Sequence, residues 1–231
     1  MRIATWNVNS IRARLPNVIA WLDEVKPDIL LMQEIKCKTD AFPAMEFKAA
    51  GYNTHAFGQK AYNGVAIASL HKIEDVQENL PNFNEDNQAR YIEATVKGVR
   101  VASIYVPNGN PIGTEKFTYK LDWLMRFKKH VAKLLQSENI VVLGGDYNVI
   151  QTELDVYDPK GWEEDALYHP KIRAAFRDVL ALGYTEIFRA LHPDERAYSF
   201  WDYQGGAWQQ DKGLRLDHFL LSPEAVDNTK K

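Results

Sequence analysis

A single cysteine, Cys37, among 231 residues excludes an internal disulfide and a Cys-rich zinc site, and fits a reducing compartment. Long apolar runs are also absent. None approaches the ~18 residues of a membrane span, and the N-terminus, MRIATWNVNSIR, lacks the apolar core of a secretory signal. These absences predict a soluble, unexported chain with no membrane partner. An excess of positive charge is missing too: 28 Lys and Arg stand against 31 Asp and Glu, a net charge of −3, so the chain does not bind a polyanion through bulk charge. No repeat, low-complexity tract or Gly/Ser-rich linker marks a boundary, which predicts one domain over 1–231. What is present is ordinary globular usage, 45% hydrophobic and 26% charged, in a chain long enough to bury a core.

The apolar spacing outlines the elements. Residues 2–6 and the run DILLMQE at 28–34 read as buried strands. Between them Leu15, Val18, Ile19, Leu22 and Val25 recur at helical spacing, with Pro16 suited to a first turn. Tyr91–Lys97 and Val99–Val106 flank Gly98 as two strands joined by a tight reversal. Phe117, Leu121, Leu124, Val131 and Leu135 predict a long amphipathic helix before the strand IVVL at 140–143. A second helix runs from Pro170 and stops at Gly183. The last clear strand is LDHFLLS, 216–222. Strands and helices mixed in this way predict an α/β fold of two packed sheets with helices outside. Between Glu115 and Lys133 six basic residues (Lys116, Lys120, Arg126, Lys128, Lys129, Lys133) face two acids, which reads as a solvated helix face in preference to a phosphate-facing one.

Polar residues suited to metal or proton work recur where an apolar strand stops. Asn7 and Asn9 follow IATW; Gln33 and Glu34 follow DILLM; Tyr105, Pro107 and Asn108 end ASIYV; Asp146 and Asn148 follow IVVLGG; Asp217 and His218 lie in the late strand. Strand ends on one rim converge, which would gather two or three carboxylates, two or three amides and a phenol. Histidines are too few for a zinc cage, whereas oxygen-rich ligation suits Mg²⁺ or Mn²⁺ and metal-assisted phosphoester hydrolysis. Each residue alone has a plainer reading: a solvated Glu, turn chemistry for Asp-x-Asn, Asn7 as a helix cap, Tyr105 as a core phenol. The recurrence outweighs them together.

TWNVNSIR (5–12), LLMQEIK (30–36), YVPNG (105–109), GGDYN (144–148) and GLRLDHFLLS (213–222), with QARYIEA (88–94), resemble the successive motifs of the exonuclease III family of abasic-site DNA endonucleases, in order over essentially the whole chain. GDxN and QE alone would fit the wider deoxyribonuclease I-like phosphoesterase superfamily. The resemblance implies a four-layer α/β sandwich of two packed mixed β-sheets flanked by helices. It implies cleavage 5′ to abasic sites, with 3′→5′ exonuclease and 3′-phosphatase activity. Glu34 and Asn7 would hold Mg²⁺ or Mn²⁺, with Asp146 and Asn148 as further candidate ligands. Asp146 would act as general base on the attacking water, Asn148 would bond a phosphate oxygen, Tyr105 would stabilise the phosphate or the departing oxygen, and Asp217 matches a carboxylate that orients a histidine.

The sequence departs from the family pattern at its end. Family members close with a Ser-Asp-His-x-Pro segment whose histidine contacts the scissile phosphate, and no such segment follows Asp217; His218 points to the opposite face of its strand. The resemblance therefore expects either that the native protein runs on beyond Lys231 or that it is a shortened homologue with impaired turnover. For the lesion, the resemblance points to an apolar pocket around Phe200, Trp201, Leu214 and Leu216, with Trp208 as a wedge. Asn108 and Arg90 would meet DNA, and Lys36, Lys38, Arg12 and Arg215 are candidate backbone contacts. The implied partner is double-stranded DNA with abasic sites or blocked 3′ ends, bound by a monomeric, cytoplasmic, nucleoid-associated enzyme. Two rivals stay open: a phosphoesterase of the same superfamily on a non-DNA substrate, and a non-catalytic DNA-binding homologue.

Overall fold

A computed structural model describes residues 1–81, 83, 85–137 and 139–229, so Lys230 and Lys231 of the tail lie outside the described residues. The chain divides into two compact units, Met1–Tyr105 with Asn139–Asp146, and Val106–Glu138 with Tyr147–Lys231.

The first unit holds two mixed sheets. One has the order β1-β2-β4-β3, from β1 (Ile3–Asn7), β2 (Ile29–Gln33), β3 (Asn53–Phe57) and β4 (Val65–Ser69). Its β1-β2 pair is parallel and the others antiparallel. The connecting helix α1 spans Ile11–Val25 and a short α2 spans Ala44–Ala49. The second sheet has the order β5 (Glu74–Glu78), β6 (Tyr91–Val96), β7 (Val99–Tyr105) and β8 (Ile140–Asp146). The expected hairpin is its β6-β7 pair, turning over Lys97 and Gly98. The β7-β8 pair is parallel and needs a long crossover, for which the chain leaves the unit between Tyr105 and Asn139.

The sheets pack face to face, β2 against β7 and β8, β4 against β6 and β7. Every residue of β2 and β4 is buried. One face of β2 and β4, with Leu30, Met32, Ala66 and Ala68, packs against Val18 and Leu22 of α1. Cover on both sides is why ILLM reads as an unbroken apolar run; β4, VAIAS, is equally buried but was not expected from the sequence. The edge strand β5 reads EDVQE and is largely exposed; its charges discourage edge pairing and also hid it from apolar periodicity.

One boundary differs from the sequence expectation. Pro16 lies inside α1, not in its first turn, because the helix begins at Ile11. The start is displaced by Ser10 and Ile11, whose backbone N–H groups donate to the carbonyls of Glu34 (2.8 Å) and Ile35 (3.1 Å). These bonds set the helix entry beside the end of β2. The proline then forfeits only the bond to the Arg12 carbonyl.

The second unit holds α3 (Glu115–Leu135), α4 (Pro170–Leu180), β9 (Thr185–Glu186), α5 (Ile187–Leu191), β10 (Phe200–Trp201), β11 (Gly213–Leu214), β12 (Asp217–Leu221) and α6 (Pro223–Asp227). The two long helices pack on each other, β12 pairs antiparallel with β9, and β10 pairs with β11. A buried ion network ties these pieces. Asp155 Oδ1 accepts from Arg215 Nε (2.7 Å) and Arg189 Nη2 (2.6 Å), and Arg215 Nη1 donates to Glu186 Oε1 (3.0 Å). Arg215, proposed from sequence as a DNA backbone contact, is only 3% exposed and is spent on this network, which corrects that expectation. The isolated motif GLRLD could not reveal carboxylates contributed from residues 155 and 186.

Burial alone would raise the Glu186 carboxyl; the hydrogen bond and charge of His218, followed by the charge of Arg215 and the backbone N–H of Arg189, reverse this and bring it from 4.5 to about 2. A depressed folded value means that the stabilisation is complete above the unfolded value and fades as pH falls through the folded one. Roughly 3 kcal/mol of stability is therefore expected to disappear between about pH 4.5 and 2. Urea melts across that window check it, with Glu186→Gln as the control: an acid slope unchanged in the variant removes Glu186 as its source.

Candidate active site

The register of the two sheets assembles a polar cluster in the first unit. In the parallel pair β1-β2, Asn7 stands opposite Gln33, so Glu34 is the next residue out. In β7-β8, Tyr105 stands opposite Asp146. The sheets pack so that β1 lies against β8. The Asn7 side chain then reaches both acids, Nδ2 donating to Glu34 Oε1 (2.8 Å) and to Asp146 Oδ2 (2.9 Å). Its Oδ1 accepts the Asn9 N–H at 3.1 Å, which fixes the amide's orientation. Asn7 thus holds two carboxylates in one place and is not merely a cap: Ser10 opens α1 with no side-chain cap bond.

The backbone around these residues is unusual. Asn9, Ser10, Glu34 and Lys36 all have positive φ, at 42°, 87°, 52° and 51°. Left-handed conformations in non-glycine residues cost free energy and concentrate at functional sites. At the end of β8, Gly145 supplies a close approach: a Cβ there would lie 2.0 Å from the Ile104 carbonyl oxygen, so only glycine lets β8 lie against β7 and bring Asp146 opposite Tyr105.

Electrostatics separates the roles. Burial would raise the Glu34 carboxyl, but hydrogen bonds from Asn7, Lys36 and Tyr105, with the charge of Lys36, hold it below the usual range; the Lys36 ammonium is 2.8 Å from Glu34 Oε2 and also donates to Asn9 Oδ1. The Tyr105 phenol is pushed upward by burial and by the negative charges of Glu34 and Asp146, so it remains a neutral donor. Arg90 lies over the Tyr105 ring, 4.8 Å from its centroid, and its Nε donates to Gln88 Oε1 at 2.9 Å. Two carboxylates beside an amide and a phenol are hard oxygen donors that fit a divalent cation such as Mg²⁺. Among the described residues, no group of three or more His, Cys, Asp and Glu is placed to hold a metal ion.

Arg12 and Lys38 are exposed in the first unit, and the remaining sequence candidates lie in the second. Asn148, at φ 49°, is buried and donates from Nδ2 to the Val106 carbonyl (2.9 Å). Asn108 is exposed and accepts the Asn110 N–H at 3.2 Å. Asp217 opens β12, its N–H bonded to Ser199 Oγ (3.1 Å). The adjacent His218 is buried on the opposite face, Nε2 at 2.8 Å from the Val149 carbonyl oxygen. Leu214 and Leu216 are core residues, packed with Ile150, Val156, Leu167 and Tyr168. Phe200 is 38% and Trp208 66% exposed, while half-buried Trp201 meets the Trp208 ring edge-on with centroids 4.6 Å apart. Trp201 is also held by its Nε1 donating to Asp211 Oδ1 (3.1 Å). The structure thus presents an exposed aromatic loop above a leucine core.

Two lysines given other roles in the sequence, Lys36 as a DNA backbone contact and Lys120 as part of a solvated helix face, touch site residues. Lys36 pairs with Glu34, and Lys120 is fully buried. The spacing held a signal for the latter: residue 120 falls three after Phe117 and four before Leu124, on the apolar stripe of α3.

Comparison with known proteins identifies the family. The model of the Endonuclease/Exonuclease/phosphatase family matches residues 4–229. An exodeoxyribonuclease of Bacillus subtilis is 31% identical over 225 residues, 96% of this chain and 88% of that one. Among solved structures, an AP endonuclease from Archaeoglobus fulgidus superposes with a TM-score of 0.95 at 41% identity, covering 98% of this chain and 88% of that one. NExo, a 3′-5′ exonuclease from Neisseria meningitidis, gives 0.98 at 40% identity, covering 100% and 90%. Another structure describes NExo from Neisseria as a 3′ phosphatase bound to a product DNA hairpin (0.95, 41%, 97% and 87%). These neighbours share the mixed α/β architecture of two large sheets with helices. The chain belongs to the Endonuclease/Exonuclease/phosphatase family, within its group of exodeoxyribonuclease III and AP endonuclease nucleases.

Proposed function

We propose that this nuclease is a Mg²⁺-dependent DNA repair hydrolase that cuts 5′ to abasic sites and trims blocked 3′ ends. The carrying observation is the Asn7 amide joining the carboxylates of Glu34 and Asp146 beside the Tyr105 phenol. Glu34, kept ionised, would hold the cation with Asn7 alongside, and Asp146 and Asn148 are further candidate ligands. When bound, Mg²⁺ would neutralise charge on the scissile phosphate. Asp146 orients a water and takes its proton. Tyr105, which keeps its own proton, donates to the phosphate or the departing oxygen, and Asn148 bonds a phosphate oxygen. Asp217 is assigned its orienting part from the family resemblance. Phe200, Trp201 and Trp208 offer aromatic surface to an extruded abasic sugar, and Asn108 and Arg90 meet the backbone. We assign the enzyme to the cytoplasm as a monomer, in line with its likeness to a bacterial exodeoxyribonuclease.

The deciding experiment offers a duplex carrying a tetrahydrofuran abasic analogue. Incision with Mg²⁺ and its loss in EDTA is the expected result. Equal turnover of a phosphoinositide would overturn the DNA assignment, and abasic-duplex binding with no cleavage under Mg²⁺ or Mn²⁺ would favour a binding protein.

A further inference from the structure

A buried ammonium lies against the backbone of Asn108 and Asn148, the two asparagines given substrate contacts in the proposed function. Lys120 is 0% exposed, and its Nζ donates to the main-chain carbonyls of Asn108 (2.9 Å) and Asn148 (2.6 Å). Taking an ammonium out of water costs several kcal/mol unless close partners compensate it. Short charge-assisted bonds to carbonyls are such partners.

The surroundings hold this side chain and its acceptors in place. Gly109, at φ +87°, lies against the lysine stem, and any Cβ there would come within 2.6 Å of Lys120 Cδ. The segment after Asn108 is tied from the far side, since the Asn110 amide donates to Asp165 (3.0 Å to Oδ1) and accepts the Ala166 N–H (3.0 Å). Asn148 has the left-handed φ of 49°, a conformation that an asparagine adopts with modest strain. The bond from Lys120 to its carbonyl and the bond from its own Nδ2 to Val106 hold it from both ends.

We propose that Lys120 is a positioning residue for the hydrolysis, its ammonium setting where the side chains of Asn108 and Asn148 stand by clamping their carbonyls together. The inference rests on the function proposed above. Lys120 touches no substrate; it acts through the two asparagines. A misplacement of about 1 Å in a reacting geometry lowers turnover about 10²-fold.

The test is a double-mutant cycle on the abasic duplex with Mg²⁺. Lys120→Met is expected to lower kcat about 10²-fold, yet to lower it much less in an Asn148→Ala background. A purely structural lysine would cost the same in both backgrounds, and that additivity, or an unchanged kcat, overturns the proposal. Lys120→Gln, which keeps a donor on a neutral side chain, carries the same cycle if the methionine variant does not fold. A second readout does not depend on turnover: in the ¹⁵N spectrum of the variant, the Asn148 side-chain amide should shift while that of Asn7 stays. A wild-type protein inactive on DNA would sink the proposed function; an unmoved Asn148 amide would sink the clamp.

Discussion

Asp146→Asn is expected to lower kcat on the abasic duplex by about 10³-fold, the size of effect when a positioned general base is removed. The substitution conserves volume, and an asparagine at 146 can turn its carbonyl oxygen toward the Asn7 amide that now donates to Asp146 Oδ2. The fold and DNA affinity should therefore survive while proton transfer fails. Glu34→Gln provides the contrast. It removes a carboxylate held ionised by Asn7, Lys36 and Tyr105, so its loss should be in metal affinity, and part of its activity should return as Mg²⁺ is raised. Single-turnover cleavage across a Mg²⁺ series distinguishes the two. If excess Mg²⁺ restores Asp146→Asn as well, Asp146 is a ligand and not the base.

The convergence of the strand ends is legible in the sequence, because strands of known direction bring their C-terminal residues to one rim. Asn7, Glu34, Tyr105 and Asp146 meet as that argument requires, the first pair through the β1-β2 register and the second through β7-β8. The doubly buried β2 and β8 were legible as apolar runs that end in polar residues, whereas β4, buried throughout and ending at Ser69, was not among the expected strands. The chain was opaque where a residue's role depends on partners distant in sequence. Arg215 has the look of a surface arginine in GLRLD until Asp155 and Glu186 appear beside it. Lys120 merged with a row of basic residues because charge was counted along the chain and not around the helix. Leu214 and Leu216 carried a pocket expectation, but their partners Ile150, Val156 and Leu167 come from segments whose packing no local pattern encodes. The short strands β9, β10 and β11, two residues each, exist only through their pairing and leave no period to read.

Arg215→Met is expected to destabilise the protein by about 3–5 kcal/mol, the cost of leaving buried carboxylates without their cation. Arg215 serves both acids at once, through Nε to Asp155 and Nη1 to Glu186. Asp155 would retain Arg189 at 2.6 Å and the Thr152 N–H and hydroxyl, each at 2.8 Å. Among the described residues Glu186 would keep only the Arg189 N–H and, at 3.7 Å, the His218 ring nitrogen, so the damage should centre there. Its carboxyl, now near 2, should move upward, and the acid slope of stability should shrink with it. A loss of that size is a large share of the 5–15 kcal/mol by which domains are stable and corresponds to roughly 10 °C in Tm for a chain of this length. The consequence should reach the substrate as well. The Arg215 backbone N–H is bonded to the Asp155 carbonyl (2.8 Å), and the residues just before it, Gly213 and Leu214, pair with Trp201 and Phe200. Loosening this anchor should raise KM for the abasic duplex more than it lowers kcat. Urea melts and steady-state cleavage test both parts: a loss under about 1 kcal/mol would place the pair among weakly contributing surface ion pairs, and an unchanged KM would show that the aromatic loop holds its position without Arg215.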